Sequence, residues 1–208
     1  RSIWVTGVQT CALPIYKDVR YFVIEDAGGA RIGSFYLDPY ARPNKRSGAW
    51  MDECIGRKRL AAGAALPVAY LVCNFLPPSD GKPALLTHDD VVTMFHEFGH
   101  GLHHLLTRVA YPSLAGINGV AWDAVELPSQ FFENYAWHPE VLQRITAHVE
   151  TGKPLPADKQ SQLIATRSFH AGLQMMRQLE YALFDFRLHA GYDAALGGRL
   201  YGDRKSVV

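Results

Sequence analysis

The chain has 208 residues, of which 48% are hydrophobic and 12% aromatic, enough for a folded core of one or two domains. Its 21 basic and 20 acidic residues leave a net charge of +1, which gives no broad attraction for nucleic acid or an anionic membrane. The apolar runs are far shorter than the roughly 20 residues of a membrane-spanning helix, and three scattered cysteines indicate a reducing compartment. We therefore expect a cytoplasmic monomer that binds neither nucleic acid nor membrane.

The first part of the chain favours β-structure. Residues 20–25 and 31–37 are two β-rich runs joined by a turn, which predicts a hairpin. Residues 38–48 are predicted to be a loop whose basic side chains are solvated. Residues 67–75 are again rich in β-formers and stop before Pro77, which predicts a third strand.

The second part favours helices, so the expected fold is mainly α with a small β-sheet, an α+β class. The first helix runs from Thr87 to about Arg108, because Thr87 and Asp90 form a capping pattern ahead of apolar residues spaced three and four apart. Three more helices are predicted, over residues 127–137, 139–150 and 157–189. The last helix has a broad apolar face, which we interpret as core packing and which comprises Leu163, Phe169, Leu173, Met176, Leu179 and Leu183.

A five-residue motif in the first helix, His96-Glu97-Phe98-Gly99-His100, carries metal chemistry. Residues four apart project from one face of a helix, so His96 and His100 can present two imidazoles to one ion about 2.0–2.1 Å away. Glu97 points beside that ion, where it can accept a proton from metal-bound water. The motif therefore predicts a zinc site with Glu97 as the catalytic base.

A catalytic zinc usually has three protein ligands and an open position, so a third ligand is required. Glu126 is placed where the next helix begins, and a hairpin return would bring it against the first helix. It shares a polar helix face with Gln130 and Glu133, as expected for a metal ligand and its hydrogen-bonding surroundings. The residues alone rank Glu126 only slightly above the alternatives. These are Cys73, His103, His104, Asp123 and Glu133, with His103 and His104 interpreted as groups that support the ligands or face the substrate.

The motif and its surroundings resemble the thimet oligopeptidase family of zinc metallopeptidases. The likeness is carried by residues 95–103, 122–130 and 132–134, and it extends over residues 16–190. In that family the glutamate of the segment matching residues 125–130 is the third zinc ligand, which implies Glu126 here. Asp123 and Glu133 are then expected to support the ligands. The resemblance also implies a zincin-type catalytic region within a larger, two-lobed helical peptidase.

The same resemblance implies an activity. The chain would bind one zinc ion and act as a metalloendopeptidase on internal bonds of short oligopeptides, with Glu97 activating a zinc-bound water. A dipeptidyl carboxypeptidase of the same family and a non-catalytic metal-binding fragment are the alternatives. In relatives the strand matching Val68 to Phe75 lies along the substrate groove, where its backbone could pair with an extended peptide.

The two ends of the chain do not fit this likeness. Residues 1–15 and 202–208 resemble translated sequencing-adapter sequence, which occurs at the edges of assembled fragments. The expected organisation is thus a partial metallopeptidase catalytic domain over residues 16–201 between two non-native ends. Because relatives carry further substrate-binding segments, we expect this chain by itself to be weakly active or inactive.

Overall fold

The computed structural model describes the backbone of residues 4–8 and the whole of residues 16–190. The chain divides into two compact units, Arg1–Ile145 and Thr146–Val208. Within the first of the two ends predicted to be non-native, residues 4–8 form a strand. The other residues of those ends, 1–3, 9–15 and 202–208, lie outside the described residues.

The first unit contains seven strands among the described residues: β1 (Trp4–Val8), β2 (Arg20–Glu25), β3 (Arg31–Tyr40), β4 (Trp50–Ile55), β5 (Lys58–Leu60), β6 (Gly63–Ala65) and β7 (Val68–Phe75). Five of them form a mixed sheet with strand order β1-β2-β3-β7-β4, and β5 and β6 form a separate two-stranded hairpin. The predicted hairpin is confirmed as the antiparallel pair β2 and β3, and the predicted third strand is confirmed as β7.

Strand β7 lies inside the sheet, which corrects the expectation that it pairs with a peptide. It is parallel to β3 on one side and antiparallel to β4 on the other, so its backbone hydrogen bonds are used on both sides. Within the described residues, β4 is the outer strand at this side of the sheet. Only an outer strand has backbone groups free to pair with another chain.

The prediction that the basic side chains of the loop between β3 and β4 are solvated is wrong for Arg42 and Lys45, whereas Arg46 is exposed. The ammonium of Lys45 lies 3.0 Å from Asp38 Oδ1 and donates to the backbone carbonyls of Tyr40 and Cys73, and its side chain is only 4% exposed. Arg42 also binds the Asp38 carboxylate, at 2.6 and 2.7 Å. Lys45 therefore ties the loop to the ends of β3 and β7, an arrangement that basic composition could not reveal.

Three helices follow in the first unit: α1 (His88–Leu105), α2 (Leu127–Glu133) and α3 (Pro139–Ile145). The predicted capping box of Thr87 and Asp90 is confirmed at the start of α1. Leu105 of α1 packs on a core of sheet residues, so α1 covers one face of the sheet. The core residues from the sheet are Ile24, Phe35, Ala69 and Leu71.

The second unit contains α4 (Ala157–Thr166) and α5 (Ala171–Ala190). The prediction of a single helix over residues 157–189 is wrong. The helix is interrupted between α4 and α5, where His170 has a left-handed φ of 55°. The predicted core packing is wrong for α5 in the described part of the chain, where none of its residues is buried and Met176 is 64% exposed. An apolar helical period shows that a face exists, but it cannot show what covers it.

Helices and a small mixed sheet together confirm the α+β class. None of the helices among the described residues has the length and apolar composition needed to cross a membrane.

Candidate metal centre

The centre exists because α2 can approach α1 closely at Gly99. A Cβ atom placed on Gly99 would lie 2.6 Å from Cα of Ser129 and 2.7 Å from the carbonyl oxygen of Pro128, far inside normal contact distances. Only glycine permits this approach. As a result Glu126, the residue before α2, lies over the face of α1 that carries His96 and His100.

Three potential ligand atoms converge at this point. Glu126 Oε2 lies 3.1 Å from His96 Nε2 and 3.0 Å from His100 Nε2, and all three atoms lie within 4.8 Å of one another. Ligand atoms around a tetrahedral zinc ion are separated by about 3.3 Å, which follows from zinc–ligand distances of about 2.0–2.1 Å. Two imidazole nitrogens and one carboxylate oxygen in this arrangement fit a zinc ion.

Two neighbouring side chains orient these groups. Nδ1 of His96 lies 2.7 Å from Oε1 of Glu133, so the carboxylate can accept the Nδ1 proton and direct Nε2 towards Glu126. The hydroxyl of Ser129 donates to Glu126 Oε2 at 2.8 Å. Such hydrogen bonds hold metal ligands in their binding orientation.

The protonation states also suit a metal. Burial lowers the pKa of His100, which favours the neutral imidazole that can bind an ion. For Glu126, burial by itself would raise the pKa, but the hydrogen bond from Ser129 and the nearby imidazoles of His100 and His96 outweigh it and lower the pKa. Glu126 is therefore a carboxylate at neutral pH.

Glu97 lies beside the three groups and is only 6% exposed. Burial raises the pKa of Glu97, an effect opposed by His96 and by a hydrogen bond from the backbone N–H of Met51, and reinforced by the nearby Glu126. A carboxylate with a raised pKa is a more effective proton acceptor near neutral pH than an ordinary surface glutamate. Its contact with Met51 also links α1 to the outer strand β4.

These groups open into a pocket of about 510 Å³. Residues 49–51 at the start of β4 and residues 117–120 of the connection after α1 line the pocket together with His96, Glu97 and Glu126. The indole of Trp122 also lines it and is 94% exposed. Reasoning from the sequence missed the two wall segments, because neither carries a motif and both lie far from the helix along the chain.

Four other residues considered from the sequence lie outside the cluster. His104 is fully buried and its Nε2 contacts the carbonyl oxygen of Ile55 at 3.2 Å, while His103 lines an apolar hollow between α1 and α2. Both lie about two helical turns beyond His96, a rise of roughly 11 Å, which is too far to touch the same ion. Asp123 is exposed. Cys73 is buried, and burial raises the pKa of its thiol to about 12, which disfavours the metal-binding thiolate.

Comparison with known proteins finds relatives along the whole chain. The family described as peptidase family M3 matches residues 10–197. The chain is 55% identical over 208 residues to oligopeptidase A of Haemophilus influenzae, which covers 100% of this chain and 30% of that protein. It is 55% identical over 186 residues to oligopeptidase A of Escherichia coli, which covers 89% of this chain and 27% of that protein. It is 42% identical over 186 residues to dipeptidyl carboxypeptidase of Salmonella typhimurium, with 89% of this chain and 27% of that protein covered. The chain thus spans less than a third of the length of these curated relatives.

Proposed function

The chain belongs to peptidase family M3, which confirms the resemblance in its motifs, and on that premise we propose that it is a zinc-dependent metalloendopeptidase acting on short oligopeptides. The observation that carries the proposal is the convergence of His96, His100 and Glu126 beside the buried carboxylate of Glu97. Similarity to proteins named oligopeptidase A supports peptides as the substrate class.

In this proposal His96, His100 and Glu126 hold one zinc ion per chain. When bound, zinc supplies a Lewis acid that lowers the pKa of water and polarises the carbonyl of the scissile bond. Glu133 keeps the imidazole of His96 turned towards the ion, and Ser129 does the same for the Glu126 carboxylate. Zinc suits this set better than magnesium or calcium, which prefer oxygen ligands alone.

Glu97 moves the proton in this reaction. Its carboxylate takes a proton from the attacking water and later gives that proton to the leaving amine of the cleaved bond. Its raised pKa makes both transfers feasible near neutral pH. The backbone N–H of Met51 holds the carboxylate in place without neutralising it.

The peptide would bind in extended form against β4. This strand is the outer one of the sheet in the described residues, and residues 49–51 at its start line the pocket. An extended peptide can pair with an exposed strand edge through its backbone, which gives affinity with little dependence on sequence. That need for an extended backbone disfavours folded proteins as substrates.

A dipeptidyl carboxypeptidase is the second candidate, because two relatives with that name are 42% and 41% identical to the chain. Such an enzyme must bind the free carboxylate at the end of its substrate, which calls for a cationic side chain. The higher identity to proteins named oligopeptidase A, 55% against 42%, favours the endopeptidase. Cleavage of a carboxy-amidated peptide at the same rate as the free acid would support it, and strict dependence on a free carboxylate would favour the second candidate.

The central experiment compares the zinc-loaded chain with Glu97→Gln. We expect one zinc per chain in both proteins by mass spectrometry of the metal, because Glu97 is not a ligand. Because the chain by itself is expected to be weakly active at most, the assay is a single turnover with protein in excess over a short peptide, in which only the parent should yield cleavage products. A chain that binds no zinc, or a Glu97→Gln variant that cleaves at the parent rate, contradicts the proposal. The third alternative, a metal-binding module without activity, predicts zinc in both proteins and cleavage in neither.

A further inference from the structure

A fully buried histidine lies behind the pocket and joins α1 to β4. Nε2 of His104 lies 3.2 Å from the carbonyl oxygen of Ile55, and Nδ1 lies 3.7 Å from Oε2 of Glu53. The ring has no exposed surface. Buried polar groups generally satisfy a structural or functional need, because their removal from water is costly. Here the contacts connect the last turn of the metal-binding helix to the outer strand.

The connection after α1 contacts both His104 and Glu53. Gly116 has a left-handed φ of 62°, and a Cβ atom there would lie 2.4 Å from Nδ1 of His104, so the backbone of the connection rests directly on the imidazole. Asn118 donates through Nδ2 to Glu53 Oε2 at 2.8 Å and to the carbonyl oxygen of Pro112 at 3.1 Å. Glu53 thereby links β4 to the connection, while His104 supports both from α1.

The segments held by these contacts are the two walls of the pocket. Residues 117–120 follow Gly116 directly, and residues 50 and 51 lie on the same strand as Glu53, with residue 49 just before it. We propose that Glu53, His104 and Asn118 are positioning residues that fix the two walls relative to α1, so that a peptide meets a preformed pocket. This inference rests on the proposed peptidase function. It requires that loosening the contacts weakens peptide binding without disturbing the metal ligands.

Glu53 is the informative position for a test, because it is not among the residues that line the pocket and can affect a peptide only through the walls. The measurements use Glu97→Gln as the background, so that a fluorescein-labelled short peptide binds without being cleaved. We expect Glu53→Ala to speed amide hydrogen exchange in residues 115–120 about tenfold. We also expect the Kd for the peptide to rise about tenfold, because a mobile wall must be ordered when the peptide binds. The protein is loaded with cobalt in place of zinc for these measurements. Amide exchange in α1 and the amount of bound cobalt should stay unchanged.

Two further variants test the physical cause. Glu53→Gln keeps an oxygen that can accept from Asn118, so exchange and Kd should return to within about threefold of the background. Ser113→Ala changes an exposed side chain in the preceding turn and should have no effect. If Glu53→Ala leaves both exchange and Kd unchanged, the proposal is wrong. If exchange rises and Kd does not, the contacts are only structural, and the positioning role is wrong.

Failure of the proposed function would give a different result from failure of this inference. In that case the background protein itself would bind neither cobalt nor peptide, and Glu53→Ala could change only the exchange of residues 115–120. Loss of cobalt in Glu53→Ala alone would mean that these residues act on the ligands and not on the pocket walls, and it would overturn the inference.

Discussion

Oε1 of Glu133 lies 2.7 Å from Nδ1 of His96, at the ring nitrogen opposite the one that faces Glu126. Glu133 belongs to α2 and His96 to α1, so this contact sets the orientation of a ligand on one helix from the other. Helix α2 therefore contributes twice to this cluster, because it begins directly after Glu126 and also carries Glu133. The candidate metal centre is therefore a property of the helix pair and not of the motif alone.

The first prediction concerns this contact. Replacement Glu133→Ala removes the acceptor for the Nδ1 proton of His96, and we expect zinc affinity to fall about 10- to 100-fold, as is typical for such supporting groups. Glu133→Gln retains an acceptor oxygen and should lose less. Zinc affinity is measured by competition with a chelating dye. The exposed Glu140 on α3 offers a control, since Glu140→Ala should leave affinity unchanged.

The second prediction concerns the approach of the two helices. Gly99→Ala places a Cβ atom 2.6 Å from Cα of Ser129, so α2 must move away from α1 and carry Glu126 with it. We expect a destabilisation of about 1–3 kcal/mol from overpacking, together with a loss of zinc affinity. Denaturant unfolding and dye competition measure the two effects.

Gly172→Ala on α5 is the matched control for that substitution. A Cβ atom there has nothing within 4 Å and the position is helical, so we expect a change between zero and a stabilisation of about 1 kcal/mol. Equal effects of the two substitutions, or a Gly99→Ala variant with full zinc affinity, would show that the contact between the helices does not depend on glycine.

The third prediction is a pH dependence of stability at Asp38. Burial by itself would raise the pKa of Asp38, but hydrogen bonds and charge from Arg42 and Lys45 outweigh it, and the pKa in the folded chain is lowered. The stabilisation is therefore fully present above the unfolded pKa of about 3.9 and is lost as the pH falls through the folded value. Asp38→Asn should cost about 3 kcal/mol at pH 7, because it leaves the buried ammonium of Lys45 without its counter-charge.

The difference in unfolding free energy between the parent and Asp38→Asn is measured by denaturant titration from pH 7 downwards. It should shrink below about pH 4, where the Asp38 carboxylate of the unfolded parent begins to gain a proton while that of the folded parent is still ionised. A difference that stays constant down to about pH 2 would exclude the ion pair as its cause. Asp158→Asn provides the comparison, since Asp158 is an exposed residue at the start of α4 and should show a small effect throughout.

The fourth prediction concerns removal of the metal. A ligand that binds only the folded chain stabilises it, by about 2.7 kcal/mol at a free concentration 100 times its Kd. We therefore expect a chelator to lower the melting temperature and added zinc to restore it. Because His96 is one of the three proposed ligands, His96→Ala should show almost no difference between the two conditions. A zinc-dependent shift of parental size in His96→Ala would place the ion elsewhere.

Much of the local structure follows from the sequence. The boundaries of β2 and the start of α1 were predicted closely, because alternation and the Thr87 capping box act over a few neighbouring residues. The same local rule places His96 and His100 on one face of α1. The break at His170 was missed, since the apolar period of α4 and α5 continues through it. Strand β4 was missed as well, because its residues are half-buried and do not alternate clearly.

The sequence by itself determined that two imidazoles and a neighbouring carboxylate share one helical turn, because a helix repeats every 3.6 residues wherever it forms. It left the third ligand among several residues until a family resemblance favoured Glu126. Only the tertiary structure decided that Glu126, and not His103 or His104, meets the two histidines, and that β4 is the outer strand of the sheet. The physical reason is that residues far apart along the chain meet through packing, here through a glycine on α1 that lets α2 come within contact distance.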